Sequence, residues 1–259
     1  MNAFAALEPA ACAELLRTRG PVVALTGAGV STAAGIPDFR GPRGLYVTRR
    51  YDPEKVFEIA SFRREPAYFY EFSNDFVTAV GQVEPTFTHR FLAQLERTGL
   101  LQGVVTQNID LLHRLAGSRS VIELHGSYTS ATCIGCSKRF RDLTYDWWDI
   151  QMRSSPTPPV CRCPDCGAVL KPDIVFFGEM VPAYRKAEDL VSGSGLLLIL
   201  GSSLQVSPAS YLAHCTSGAT IVINRGDVML AAAHDRYFVD ADLDEYLRNV
   251  ADHLGLNMN

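Results

Sequence analysis

The sequence predicts an α/β protein: a Rossmann-like parallel sheet with helices on both faces, carrying a small subdomain built from insertions. Three observations predict it. Four apolar runs, Val22–Thr26, 103–106, Leu196–Leu200 and 220–223, each stop at small or polar residues. Parallel sheets look like this when their ligand sits beyond the carboxyl ends of the strands. A glycine turn, Gly27-Ala28-Gly29-Val30-Ser31, follows the first run directly, and five of the seven cysteines fall between Cys133 and Cys166, which marks an inserted module.

Each element can be justified in order. A helix is expected over residues 12–19, ended by Gly20-Pro21, and leads into the first strand. The whole chain, 1–259, reads as a single domain whose large part takes residues 1–40, 86–130 and 171–259. The smaller part is a helical insert over 41–85 and a module over 131–170 that includes the Pro-rich stretch 154–159. In the helical insert Phe57, Phe62, Tyr68, Phe69, Tyr70, Phe72 and Phe76 recur at helical spacing. They read as the insert's own core before a ligand-contact stripe.

Length and composition narrow the function classes. The 259 residues suit one large domain with an insertion, and 47% hydrophobic against 20% charged residues excludes a disordered chain. Twenty-eight acidic and 24 basic residues give a net charge of −4. That argues against direct nucleic-acid binding and mildly favours a basic partner such as a lysine-rich peptide. No basic stretch followed by an apolar one opens the sequence, so no secretory signal is expected. The longest apolar run, Leu196–Leu200, is too short to cross a bilayer. A cytoplasmic protein is expected, with no membrane partner; oligomeric state is not legible.

Glycines let other groups approach the backbone of the first turn closely, and amides at the following helix start favour anionic oxygen. A dehydrogenase fingerprint would place a third glycine at position 32, where Thr32 stands, and an acidic residue about twenty positions on, where residues 47–50 read Val-Thr-Arg-Arg. An ordinary hydride-transferring oxidoreductase is disfavoured. Alone, the turn reads equally well as structural.

Cys133-Ile134-Gly135-Cys136 and Cys163-Pro164-Asp165-Cys166 are two CxxC pairs with 26 residues between them. Each pair can present two sulfurs from one tight turn, and two such turns make a tetrathiolate site for one structural zinc (Zn2+) with no open position. In a reducing compartment this outranks disulfide pairing. Cys161 could replace Cys163 or Cys166. Cys12 and Cys215 read as ordinary helix or core residues.

The glycine turn runs on to residue 41 as GAGVSTAAGIPDFRG, and this run resembles the NAD-binding signature of the sirtuin family. TQNID at 106–110, ELHG at 123–126 and KPDIVFFGE at 171–179 agree with it in order and spacing, from about residue 20 to the C-terminus. The resemblance implies an NAD-dependent protein-lysine deacetylase or deacylase, with NAD as co-substrate and acyl-lysine proteins or peptides as partners. Such an enzyme transfers the acyl group from lysine to ADP-ribose and releases nicotinamide. It implies catalytic roles for His125, Asn108 and Asp110, with His125 as the base, since an imidazole of near-neutral pKa suits removal of a ribose hydroxyl proton. It selects Cys133, Cys136, Cys163 and Cys166 as the zinc ligands and leaves Cys161 a free thiol.

Further roles follow from the same resemblance. Ala28, Gly29 and Thr32 line the pyrophosphate turn, and Phe39 and Arg40 cover the reacting ribose. Gln107, Asn108, Ile109 and Asp110 hold ribose and nicotinamide; Gly201, Ser202 and Ser203 follow the third strand, and Asn224 and Arg225 meet the adenosine end. Asp242 is expected near adenine, in a stretch (VDADLDEYL) that departs from the family pattern. Val175, Phe177, Gly178, Glu179 and Val206 form the edge to which an extended peptide adds as a strand. Relatives that remove acidic acyl groups carry a Tyr and, three residues on, an Arg; here the match is Tyr70 and Ser73. With no guanidinium for an acyl carboxylate, neutral acyl chains are expected. Two rival readings use the same residues: protein mono-ADP-ribosyl transfer from the same NAD pocket, and a zinc-containing NAD sensor without catalysis.

Overall fold

The computed structural model describes residues 5–38, 51–155 and 159–258. They fall into two compact units, one drawn from Met1–Gly35, Glu84–Leu124 and Pro182–Asn259, the other from Ile36–Val83 and His125–Val181. In chain order the strands are β1 (Val22–Thr26), β2 (Leu101–Thr106), β3 (Val121–Glu123), β4 (Gly126–Cys133), β5 (Arg139–Phe140), β6 (Leu170–Ile174), β7 (Leu196–Leu200), β8 (Ala219–Ile223) and β9 (Arg236–Val239).

The first unit is built on a six-stranded sheet of order β3-β2-β1-β7-β8-β9, with every neighbouring pair parallel. The apolar runs make its four central strands. β3 and β9 at the edges escaped the sequence reading because three residues (Val-Ile-Glu) and four half-buried ones (Arg-Tyr-Phe-Val) carry no clear period. On one face Val22, Ala24, Leu196, Leu198, Leu200, Ile221 and Ile223 share a core with the helices Pro9–Thr18, Phe87–Arg97 and Leu243–Leu254. The alternate residues Val23, Leu25, Leu197, Ile199 and Val222 are also 0% exposed, so the second face is covered as well. Burial on both faces is what selects continuous apolar strands, each large side chain contributing about 1.5–3 kcal/mol.

The segment after the glycine turn is not an α-helix but a 3₁₀ turn, Ala28–Ala34, closed by Gly35 in the left-handed region at φ 94°.

In the second unit the helices Ile59–Arg64 and Pro66–Val80 pack an aromatic core. Phe62 meets Phe69 edge-on at 5.4 Å, and Phe176 sits 5.1 Å from Phe69 and 5.3 Å from Phe62. The aromatic spacing is therefore that of a core. The same unit holds the antiparallel sheet β5-β4-β6. Trp148, on the helix Tyr145–Arg153, is fully buried and donates its indole N–H to Tyr128 O at 2.7 Å.

Candidate active and metal sites

Register brings the strand ends of the first unit into one row. Glu123, Thr106, Thr26, Leu200, Ile223 and Val239 are consecutive cross-strand partners. The residues that follow them, Gln107, Gly27, Gly201 and Asn224 among them, leave the sheet at the same edge. Sequence order reverses between β1 and β7, the switch point at which open α/β sheets bind their ligands.

Two turns interlock at that point. A Cβ on Gly29 would lie 2.7 Å from Gly201 Cα, one on Gly27 2.7 Å from Gly201 O, and one on Gly201 2.6 Å from Val30 N. These glycines thus let the β1 and β7 turns approach each other, a constraint beyond the access to a phosphate that the sequence indicated. Gln107 Nε2 donates to Ser202 Oγ at 2.9 Å, and Ser202 Oγ accepts from Leu204 N at 3.2 Å. Thr32 Oγ1 donates to Gly29 O at 3.0 Å.

Asn108 and Asp110 meet at Ser31. The Ser31 hydroxyl donates to Asp110 Oδ2 at 2.6 Å, and Asn108 Nδ2 donates to Ser31 Oγ and to Gly27 O, both at 3.1 Å. Leu112 N donates to Asp110 Oδ1 at 3.0 Å. Asp110 is buried, and that burial raises its pKa against the opposing effect of the Ser31, Leu112 and Asn108 hydrogen bonds. Asn224, at the end of β8, donates from Nδ2 to Arg225 O at 3.0 Å, and Arg225 pairs with Asp242 at 3.2 Å. Asp242 also caps the last helix by accepting from Glu245 N at 3.1 Å.

In the second unit the ligand atoms of Cys133, Cys136, Cys163 and Cys166 all lie within 4.8 Å of one another. Cys133 Sγ is 3.4 Å from Cys166 Sγ, and Cys136 Sγ is 3.8 Å from Cys163 Sγ. Four sulfurs at about 2.3 Å from a tetrahedral zinc stand roughly 3.8 Å apart, so the cluster fits one closed structural zinc site. The amides of Cys136 and Gly135 point at Cys133 Sγ and hold its thiol down to about 6. Cys161 is not in the cluster. It is buried beside Tyr70, and burial pushes its thiol up to about 12.

His125 immediately precedes β4. Its carbonyl accepts from Val175 N at 2.8 Å, and Gly126 pairs with Ile174. Gly126 has φ 70°, and a Cβ there would run into Asp173 O, so only glycine allows this join. Beyond β6, Val175 is half-buried, Phe176 points into the aromatic core and Phe177 is 46% exposed. Phe177 N donates to Phe57 O at 2.6 Å, and its carbonyl accepts from Ile59 N at 3.1 Å. Lys171 Nζ closes the segment. It donates to Ile174 O at 2.8 Å, pairs with Glu179 at 2.9 Å and lies 4.4 Å from the Phe176 ring centre. Glu179 also accepts from Phe176 N at 2.9 Å.

The profile of the Sir2 family matches residues 27–208, well over half of the chain. An NAD-dependent protein deacetylase of Thermotoga maritima is 39% identical over 249 residues, covering 94% of this chain and 97% of its own. The chain belongs to the Sir2 family. Its fold matches that of a Sir2 solved with deacetylated p53 peptide and 3′-O-acetyl ADP-ribose, with TM-score 0.87, 37% identity, and coverage of 97% and 100% of the two chains. A Sir2 bound to a propionylated peptide matches with TM-score 0.81, 36% identity and coverage of 94% and 97%.

For this Sir2 chain the structure places Asn108 and Asp110 on one hydroxyl, and the four expected cysteines in one cluster. Phe39 and Arg40 lie outside the described residues. Val206 is in the turn before the short helix Ala209–Leu212, where its carbonyl accepts from Ser210 N at 2.9 Å. Tyr70 and Ser73 are both fully buried: Tyr70 donates to Leu170 O at 2.6 Å, and the Ser73 and Tyr128 hydroxyls are 3.1 Å apart. Sequence reasoning missed Ser31 and Lys171. Each stood inside a quoted motif, and the available signal was a polar residue among glycines or at the start of a strand. No described helix is long and apolar enough to cross a membrane.

Proposed function

We propose that this Sir2 chain is an NAD-dependent protein-lysine deacylase that frees lysine from acetyl and other neutral acyl groups. The observation that carries the reading is the convergence of Asn108, Asp110 and Ser31 at the switch point of the sheet, in a chain 39% identical to a curated NAD-dependent deacetylase. The relatives solved with propionylated and deacetylated peptides support acyl-lysine protein or peptide substrates.

NAD, when bound, supplies C1′ of its nicotinamide-bearing ribose as acceptor for the acyl oxygen, with nicotinamide as leaving group. The chain's own residues position and move a proton. Ala28, Gly29 and Thr32 offer the backbone and hydroxyl of the turn to the pyrophosphate, with Phe39 and Arg40 assigned to cover the reacting ribose. Gln107, Asn108, Ile109 and Asp110 orient the ribose and nicotinamide end. Gly201, Ser202, Ser203, Asn224 and Arg225 line the adenosine side. Asp242 takes part through Arg225, whose guanidinium it holds. His125 removes a proton from a ribose hydroxyl, whose oxygen attacks the acyl carbon. The carbon–nitrogen bond to lysine then breaks, the amine leaves protonated, and water supplies the oxygen that completes O-acyl-ADP-ribose. Val175, Phe177, Gly178, Glu179 and Val206 offer the peptide a strand edge and an apolar wall for the lysine stem. We place the protein in the cytoplasm, as one catalytic domain.

Tyr70 and Ser73 are buried with their hydroxyls at Leu170 O and Tyr128, and Ser73 offers no guanidinium to an acyl carboxylate, which supports the neutral acyl preference. A panel of acetyl-, propionyl- and succinyl-lysine peptides, incubated with and without NAD and read by mass spectrometry, tests the reading. Free lysine and O-acyl-ADP-ribose should appear from the first two, with NAD only. ADP-ribose retained on protein in place of the free product would establish mono-ADP-ribosyl transfer instead, and no product at all would leave an NAD sensor.

A further inference from the structure

Among the described residues, three buried side-chain atoms have no hydrogen-bond partner: His89 Nε2, His113 Nδ1 and Ser118 Oγ. The first two belong to a pair of imidazoles in contact, 4.6 Å between ring centres and tilted by 57°, 0% and 2% exposed. Neither ring touches solvent, and neither has a role so far. Buried imidazoles that leave a nitrogen unpaired cost stability, so what the paired nitrogens do is the informative question.

Each paired nitrogen holds one end of the glycine turn. His113 Nε2 lies 2.8 Å from Thr26 Oγ1, on the last residue of β1 before Gly27. His89 Nδ1 lies 2.7 Å from Thr86 Oγ1, and that hydroxyl donates to Val30 O at 2.9 Å, at the far end of the turn. The Thr86 hydroxyl has one proton. Thr86 N also donates to His89 Nδ1 at 3.2 Å, so Nδ1 carries the lone pair and the His89 proton sits on Nε2, while the hydroxyl proton alternates between Nδ1 and Val30 O. Both rings belong to the first unit, as do Thr26, Val30 and Thr86.

We propose that His89 and His113 are positioning residues that brace the Gly27–Val30 turn from its two ends and thereby set the affinity of the chain for the dinucleotide. The inference rests on the reading that this turn binds NAD. Burial keeps both rings uncharged, with His89 pushed down to about 3 and His113 held well below its ordinary value. A neutral ring has one N–H and one lone pair, so its bond to Thr86 or Thr26 has a fixed direction.

Asparagine places an amide atom near the position of Nδ1 and glutamine near that of Nε2, which gives a test that burial alone would not move. His89→Asn and His113→Gln keep the bracing contact; His89→Gln and His113→Asn lose it with nearly the same volume and polarity. NAD is titrated calorimetrically into each purified full-length variant, and KM for NAD and for an acetylated peptide is measured alongside. The first pair should bind NAD within about threefold of wild type. The second pair, together with Thr86→Val, should bind about tenfold more weakly with peptide KM unchanged, the loss expected for one buried hydrogen bond. Thr86→Val keeps both rings in place, so it reads the Val30 contact even where an imidazole replacement fails to fold. Equal NAD affinity in both pairs and in Thr86→Val would overturn the bracing role alone. Wild-type protein that binds no NAD would overturn the functional reading with it.

Discussion

Asp110 is held by Ser31: the hydroxyl of one donates to the buried carboxylate of the other at 2.6 Å, across 79 residues of sequence. The bond joins the turn after β1 to the loop after β2, and Asn108 completes it through the same oxygen. Ser31→Ala removes a partner from both residues at once. Leaving a buried group unsatisfied costs about 1–3 kcal/mol. We expect a lower melting temperature and a kcat/KM reduced about 10- to 100-fold, checked by calorimetry and steady-state assay.

Burial raises the pKa of Asp110, which fixes the sign of its contribution to stability. A carboxyl with a raised folded-state pKa binds its proton more tightly folded than unfolded. Stability from this group is therefore greatest at acid pH and falls as pH rises from its ordinary range through the folded value. Asp110→Asn should melt at least as high as wild type at neutral pH, lose that advantage below about pH 4, and turn over far more slowly. Thermal melts across pH check this.

The sulfur cluster predicts about one zinc per chain. Cys161→Ser should retain the metal, because that thiol stands outside the four-sulfur cluster. Cys166→Ser should lose it and destabilise β4 and β6, which run into the cluster. Metal analysis of the purified variants decides between them.

Lys171 and Glu179 close the segment that carries Val175 and Phe177. Glu179→Gln leaves a half-buried ammonium with a weaker partner and frees the segment. Peptide KM should rise by about tenfold, one hydrogen bond to a charged group, while KM for NAD stays constant.

The central strands were legible because both their faces are buried, which turns them into continuous apolar runs such as Leu196–Leu200. β9 was not, because its four residues are all half-buried and follow no period. A zinc site could be read because CxxC spacing presents paired sulfurs from local turns, whereas the choice of Cys163 and Cys166 over Cys161 came from the family resemblance. Ser31 and His113 could not, because their partners lie 79 and 87 residues away. His89 bonds Thr86 only three residues off, but Thr86 reaches Val30 across 56 residues, and only the fold brings these together. Gly27 and Gly29 were visible as a turn, but the backbone pressed against them, that of Gly201, belongs to another strand.

The most direct measurement is the stoichiometry of nicotinamide released to lysine freed, with an acetylated peptide and purified protein. The account predicts one nicotinamide for each lysine, no lysine without NAD, and loss of lysine release in His125→Ala. Lysine freed in the absence of NAD, or at an undiminished rate by His125→Ala, would contradict it.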